Sequence, residues 1–179
     1  MMMSPADKAF DSRALRRALG QFPTGVCDLT GCLAGENHWM TISSFNALSL
    51  EPPLVLFSVD RRALSLPYWE RAAGFAINIL AENQREMSDR FARARSKKTE
   101  GVRFTTGIAG APLLPGAVAV FECAPWAQHD GGDHVLFIAE VRRFTINQDR
   151  APLVFSKGRY GSLQASEQAA PLWPLDIHY

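Results

Sequence analysis

The chain has 179 residues, 47% of them apolar and 21% charged, the mix of a globular protein with material for one sizeable core. Nineteen basic against eighteen acidic side chains leave a net charge of +1. That balance gives nucleic acid or an anionic membrane surface little to hold, and no run approaches the roughly 18–20 apolar residues of a spanning helix. One domain over residues 1–179 is expected, with a core over about 10–163 and an extended tail over 164–179.

Residues 1–8 lack the basic and then apolar regions of a secretory leader. Cys27, Cys32 and Cys123 make no disulfide framework, and Cys27-x4-Cys32 fits no common zinc spacing. These features predict reduced, mostly packed thiols in a cytoplasmic protein.

In chain order, Ser4 or Asp7 can cap a first helix whose apolar stripe is Phe10, Ala14 and Ala18, flanked by Leu15 and Leu19 and ended by Gly20. Strands follow at 26–30 and 39–43, with a turn between Gly31 and Gly35. Pro52-Pro53 opens a buried apolar strand from Leu54 to Phe57. A short helix over 66–73 and a strand over 75–80 come next. Residues 84–95 read as an amphipathic helix, with Met87 and Phe91 four apart, and 96–100 as a mobile loop. The rest is strand-rich, at 117–123, 134–144 and 153–155, with turns at Gly131-Gly132 and 147–150. Many short strands with few helices predict a mainly β fold with helical insertions, an antiparallel barrel closed or half-closed. Neither the Gly-x-Gly-x-x-Gly of a dinucleotide crevice nor a phosphate-binding P-loop is present.

Three segments could carry chemistry. Thr41, Ser43, Ser44, Ser49, Ser58 and Ser65 crowd one stretch with Arg62, and hydroxyls and a guanidinium suit phosphate and carbonyl oxygens. Serines also suit turns and strand ends, which on the residues alone is the plainer reading. His129-Asp130-Gly131-Gly132-Asp133-His134 is a glycine turn opening a strand, with His134 on one face beside Leu136 and Ile138. A turn histidine held by a hydrogen bond competes there with a functional one; the spacing aims no metal set, so no metal is expected. Cys123, flanked by Phe121 and Ala124, reads as a buried inert thiol rather than a nucleophile.

Six segments fall together in a familiar order: residues 22–26 (Phe-Pro-Thr-Gly-Val), 40–59, 75–80, Arg90-Phe91-Ala92, Gly132-Asp133-His134 and Gly158-Arg159-Tyr160. In them the chain resembles the flavin reductase family, whose fold is the FMN-binding split β-barrel of antiparallel Greek-key type. More narrowly, it looks like the small reductase component of two-component aromatic monooxygenases, such as those acting on phenols, chlorophenols and 4-hydroxyphenylacetate. The resemblance implies a homodimer that reduces free FAD, or FMN, with NADH. It also implies diffusion of the reduced flavin to a separate flavin-dependent oxygenase. It places Thr41, Ser43, Ser44, Phe45, Asn46 and Ala47 on the flavin, Ser49 and Leu50 towards its phosphate, and Arg62 and Ser65 after the next strand. It also puts Gly132, Asp133 and a catalytic His134 near the nicotinamide, with Thr24 and Tyr160 in matching segments. Trp39 stands where the family often has glycine, and Ala63-Leu64 interrupt a run usually rich in hydroxyls. A non-catalytic flavin-binding barrel and a split-barrel oxidase of the pyridoxamine-phosphate type are the alternatives, and the Gly-Asp-His turn favours the reductase.

Overall fold

The computed structural model describes residues 11–93 and 99–164. A seven-stranded antiparallel sheet dominates. Its strands are β2 (Cys27–Leu33), β3 (Glu36–Ile42), β4 (Asn46–Leu50), β5 (Pro53–Asp60), β6 (Phe75–Ile79), β9 (Ala119–Gly131) and β10 (His134–Ile146). Their spatial order is β3-β2-β6-β9-β10-β5-β4.

The connectivity shows that this sheet is rolled. Laid flat, its two edge strands would lie about 29 Å apart. Yet β3 and β4 are joined only by Ser43, Ser44 and Phe45, a link that spans at most about 14 Å. The edges must therefore approach, and since no ladder joins them the barrel is split at that seam.

Alternation fills the interior. Val55, Phe57 and Val59 of β5 are buried, as are Val135, Phe137 and Ala139 of β10, and Phe57 stacks on Phe137 with centroids 5.1 Å apart. The β2–β3 hairpin turns on Ala34 and Gly35, both with positive φ (50° and 83°), the left-handed pair that a tight two-residue turn requires.

Several boundaries differ from the sequence expectations. β9 does not stop at Cys123 but runs to Gly131 through Pro125. Beyond Cys123 it has lost β6 and pairs with β10 alone, so the missing proline N–H faces an unpaired edge. β4 was not anticipated as a strand. The short helix is only α2 (Leu66–Trp69), and the amphipathic one is α3 (Arg85–Ala92). The first helix, α1 (Ser12–Leu19), is capped by Asp11, whose side chain accepts the Arg13 N–H. The expected caps Ser4 and Asp7, like Phe10 and residues 96–98 and 165–179, lie outside the described residues. Ala14, Leu15, Ala18 and Leu19 are exposed, so the stripe of α1 does not enter the core.

A second cluster forms where α3 covers the barrel. Trp39 lies there, stacked on Phe91 at 4.5 Å and edge-on to Phe104. A three-stranded sheet, β1 (Thr24–Gly25), β11 (Val154–Ser156) and β12 (Arg159–Gly161), in the order β1-β11-β12, adds Phe155 and Tyr160 to that cluster, and β7 (Thr105–Thr106) pairs antiparallel with β8 (Pro112–Leu113).

Candidate functional site

The end of β5 and the β9–β10 turn form one charged assembly. His134 is paired across the ladder with Asp60. Its Nδ1 lies 2.7 Å from the Asp133 carboxylate; a carboxylate only accepts, so Nδ1–H donates and Nε2 is left for other contacts. Arg61 ties the turn down: its Nε donates to the Gly132 carbonyl at 2.9 Å and its guanidinium pairs with Asp130. Its backbone N–H donates to the Asp133 carbonyl at 2.9 Å. Gly132 has φ +75°, and a Cβ there would meet nothing within 4 Å, so its backbone faces open space.

Arg62 grips Asp60 with two nitrogens, Nε at 3.1 Å and Nη2 at 2.8 Å, and its backbone N–H adds a third bond at 2.7 Å. These bonds hold the Asp60 carboxyl well below the usual carboxylate range, with a smaller contribution from His134, and push the Arg62 guanidinium upward in turn. Arg62 is thus partly engaged within the chain rather than wholly free for phosphate. Ser65 is engaged too, its Oγ accepting the Trp69 indole N–H at 3.1 Å.

The seam between β3 and β4 forms a second group. Ser44 Oγ donates to the Ser58 carbonyl and accepts the Ser58 N–H. Phe45 turns inward and stacks on Phe121 at 5.7 Å. Ser43, Asn46, Ala47 and Leu50 are exposed, and Ser49 is half-buried. Asn46 opposes Leu56 on β5, four residues from Asp60, so Asn46 and His134 lie about 13 Å apart along that strand. Between them the outer face of β5 and β10 carries half-buried Leu56, Ser58, Leu136 and Ile138.

Thr41 and Tyr160 belong to a third group, centred on α3. The Thr41 hydroxyl faces Asp28 Oδ1 at 2.7 Å and the Ser88 carbonyl at 2.9 Å. The Tyr160 hydroxyl lies 2.7 Å from Ser88 Oγ and donates to Asp89 at 2.9 Å, while Arg85 sits over its ring. Burial pushes the Tyr160 phenol upward. Thr24, on β1 opposite Phe155, joins the same small sheet as Tyr160.

The structure therefore brings the β3–β4 seam and His134 onto one face of the sheet, on either edge of β5, and gives Thr41 and Tyr160 internal partners. Sequence reasoning missed Asp60 and Arg61. An Asp two residues before an Arg at a strand end, where i and i+2 share a face, was the available signal. Cys123 is fully buried and its thiol is pushed up to about 12 by desolvation, which suits packing and not attack. Among the described residues no group of three or more His, Cys, Asp or Glu is placed to hold a metal, and no helix is long and apolar enough to cross a membrane.

Residues 19–164 match the family model described as a flavin reductase like domain. The chain belongs to this family. It is 36% identical over 172 residues to the reductase subunit HsaB of a flavin-dependent monooxygenase from Rhodococcus jostii, covering 96% of this chain and 88% of that one. Nitrilotriacetate monooxygenase component B from Mycobacterium thermoresistibile superposes with a TM-score of 0.87 at 34% identity, over 94% of this chain and 96% of that one. The NADH:FAD oxidoreductase SgcE6 of Streptomyces globisporus, solved with NAD and FAD fragments, gives a TM-score of 0.81 at 36% identity over 92% and 96% of the two chains. The rolled, seam-split sheet is thus the flavin reductase split barrel.

Proposed function

We propose that this protein uses NADH to reduce FAD or FMN and releases the product to a separate flavin-dependent oxygenase that acts on aromatic compounds. The observation that carries the reading is the outer strip of β5 and β10. It runs from the open seam at Ser43–Asn46 to His134, whose ring is oriented by Asp133, in a chain of the flavin reductase family.

The residues present fit a flavin. At the seam, β3 and β4 each have a ladder partner on one side only, so their other edges present N–H and C=O groups to a flat heteroaromatic edge. Ser43, Asn46 and Ala47 line that seam and would contact the ring system, with Ser49 and Leu50 further along β4. Arg62, which stays largely exposed while it grips Asp60, and Ser65 would meet the phosphate. Bound flavin and nicotinamide supply the hydride chemistry themselves, as acceptor and donor. The chain's part is to hold the two rings in register and balance charge. His134 is the residue for this, with Nε2 free to hydrogen-bond the nicotinamide side, and Gly132 lets that group approach the backbone. Thr41, Ser44, Phe45, Thr24 and Tyr160 position these elements from behind.

Homodimerisation completes the reading. Leu50 on the β4 edge is 78% exposed, and Trp126, Phe144 and Ile146 on the β9–β10 hairpin are each more than half exposed, more apolar surface than an isolated barrel tolerates well. Three free cysteines and the use of NADH suit a cytoplasmic enzyme working as one domain. The deciding assay follows NADH oxidation with FAD, FMN or riboflavin added and no aromatic substrate. Rapid oxidation dependent on flavin is expected; a rate no higher than without protein for all three flavins rejects the proposal. Sedimentation as a monomer at micromolar concentration rejects the dimer. Hydroxylation across a dialysis membrane separating reductase from oxygenase at low oxygen tests release by diffusion.

A further inference from the structure

One face of α1 is strongly basic. Arg13, Arg16 and Arg17 stand at i, i+3 and i+4, so their guanidiniums are neighbours on the helix surface. With Lys157, Ser12 and Gln21 they line a cleft of about 730 Å³ between α1 and the β11–β12 hairpin. Among the described residues no carboxylate lines it, and none of the four cations enters an ion pair. Asp11, the acid nearest in sequence, caps the helix through the Arg13 N–H and lies outside the lining.

The walls are fixed to each other. The Gly20 carbonyl at the end of α1 accepts the Lys157 N–H at 2.8 Å and the Ser156 hydroxyl at 3.4 Å. Lys157 and Gly158 form the hairpin tip with φ of 52° and 75°. The first of these is a left-handed position that favours Asn, Asp or Gly, yet it carries a lysine that lines the cleft with the arginines. The helix dipole explains cations in the last turn, where Arg16 and Arg17 lie. It does not explain Arg13 in the first turn, where the dipole opposes a positive charge, nor Lys157 added from another element. Four like charges gathered without a counter-ion among the described residues call for an anion.

We propose that this cleft binds a polyphosphate anion, the diphosphate of a nucleotide being the class that fits. Guanidinium forks match phosphate oxygens in pairs, and the lysine adds a compact point charge. A cavity of this size accepts a nucleotide-sized ligand. A Cβ on Gly158 would meet nothing within 4 Å, so the hairpin tip leaves room for phosphate oxygens. The cleft shares no residue with the His134 strip, and the inference does not rest on the reductase reading.

Calorimetric titration of the full-length protein at low salt with ADP and, separately, inorganic pyrophosphate tests it. One saturable site per chain is expected that weakens at least tenfold in R13Q/R16Q and in K157Q, and weakens steeply with added salt. Both variants should melt at the wild-type temperature, because these side chains carry no hydrogen bond or ion pair among the described residues. Equal affinities would assign recognition to phosphate from any source, and tighter ADP would extend it to the nucleoside; either supports the proposal. Because the readout is binding, it stands whether or not the protein oxidises NADH. The proposal is overturned if neither probe saturates, or if both variants bind as wild type does. Displacement of ADP by polyglutamate of matched charge would also overturn it, making the face a dock for an acidic protein segment.

Discussion

Ser44 Oγ donates to the Ser58 carbonyl and accepts the Ser58 N–H, both at 3.0 Å, so one side chain does what a backbone residue does in a ladder. The register explains why. Asn46 pairs with Leu56, and continuing that antiparallel ladder by two residues puts Ser44 opposite Ser58, where the chain has left β4 and turned towards β3. The hydroxyl adds one rung beyond the end of the strand and holds the seam at a fixed distance from β5.

Ser44→Ala removes that rung and leaves a part-buried N–H and carbonyl of Ser58 to find other partners. A loss of about 1–3 kcal/mol of stability is expected. Urea denaturation measures it, and flavin affinity should weaken in the same variant because the seam loosens. Stability unchanged from wild type would show that water replaces the hydroxyl without loss.

Asp60 is held below the usual carboxylate range by Arg62. A depressed folded-state value means that the pair contributes above the unfolded aspartate pKa of about 3.9 and loses its contribution as the pH falls further, through the folded value. Between pH 5 and 8 the Asp60 charge is therefore constant, and any activity change in that interval arises elsewhere. In Arg62→Gln the Asp60 carboxyl should titrate nearer 3.9. NMR titration of the carboxyl carbon reads this directly; an unshifted midpoint would mean that Arg62 does not hold Asp60 in solution.

Much of the barrel was legible because its buried strands alternate or run apolar: residues 54–57 led into β5, and His134 was correctly set on one face with Leu136 and Ile138. Burial on one side writes itself into sequence. β4 was hidden because Asn46–Leu50 is an edge strand with four of five residues exposed, so no periodicity marks it. The length of β9 was hidden by Pro125, tolerated only because β6 has already ended. At the site the residue types were readable but their partners were not. Thr41, Ser44, Ser65 and Arg62 all looked free for a ligand, whereas Asp28, Ser58, Trp69 and Asp60, brought near by folding, engage them. The amphipathic stripe of α1 was visible, but a stripe does not say what covers it.

Gly31 sits where β2 passes Tyr68. A Cβ there would lie 2.4 Å from the Tyr68 hydroxyl and 3.3 Å from the Gly74 carbonyl. That hydroxyl is buried with no hydrogen-bond partner among the described residues, and the ring is stacked on His38 at 3.6 Å. Gly31→Ala should therefore destabilise by about 1–3 kcal/mol through overpacking. Tyr68→Phe alone should be neutral or stabilising, since it removes an unsatisfied polar atom. The double variant should recover much of the loss, because deleting the hydroxyl removes the closest contact. Thermal melts of the four proteins form a double-mutant cycle; additive effects would mean that the two residues do not meet.

His134 gives the sharpest test of the reductase reading, because substitutions at His134 and at Asp133 have different expected outcomes. His134→Ala removes the Nε2 group proposed to face the nicotinamide and leaves the β3–β4 seam intact. Flavin reduction by NADH at saturating flavin should slow about 10- to 100-fold, while the affinity for oxidised flavin stays within about twofold. The site is open to solvent, His134 being 40% and Asp133 81% exposed, which sets the expectation at the low end for a lost electrostatic contact. Asp133→Ala leaves the imidazole but frees it to rotate. It should slow the same step by a smaller factor, because the carboxylate no longer holds Nδ1–H. Asp133→Asn, whose amide oxygen can still accept from Nδ1, should restore much of the rate. Stopped-flow reduction over a range of NADH concentrations separates these effects. If His134→Ala reduces flavin at the wild-type rate with the wild-type dependence on NADH, the ring is a turn residue held by Asp133 and hydride transfer is organised elsewhere on the strip.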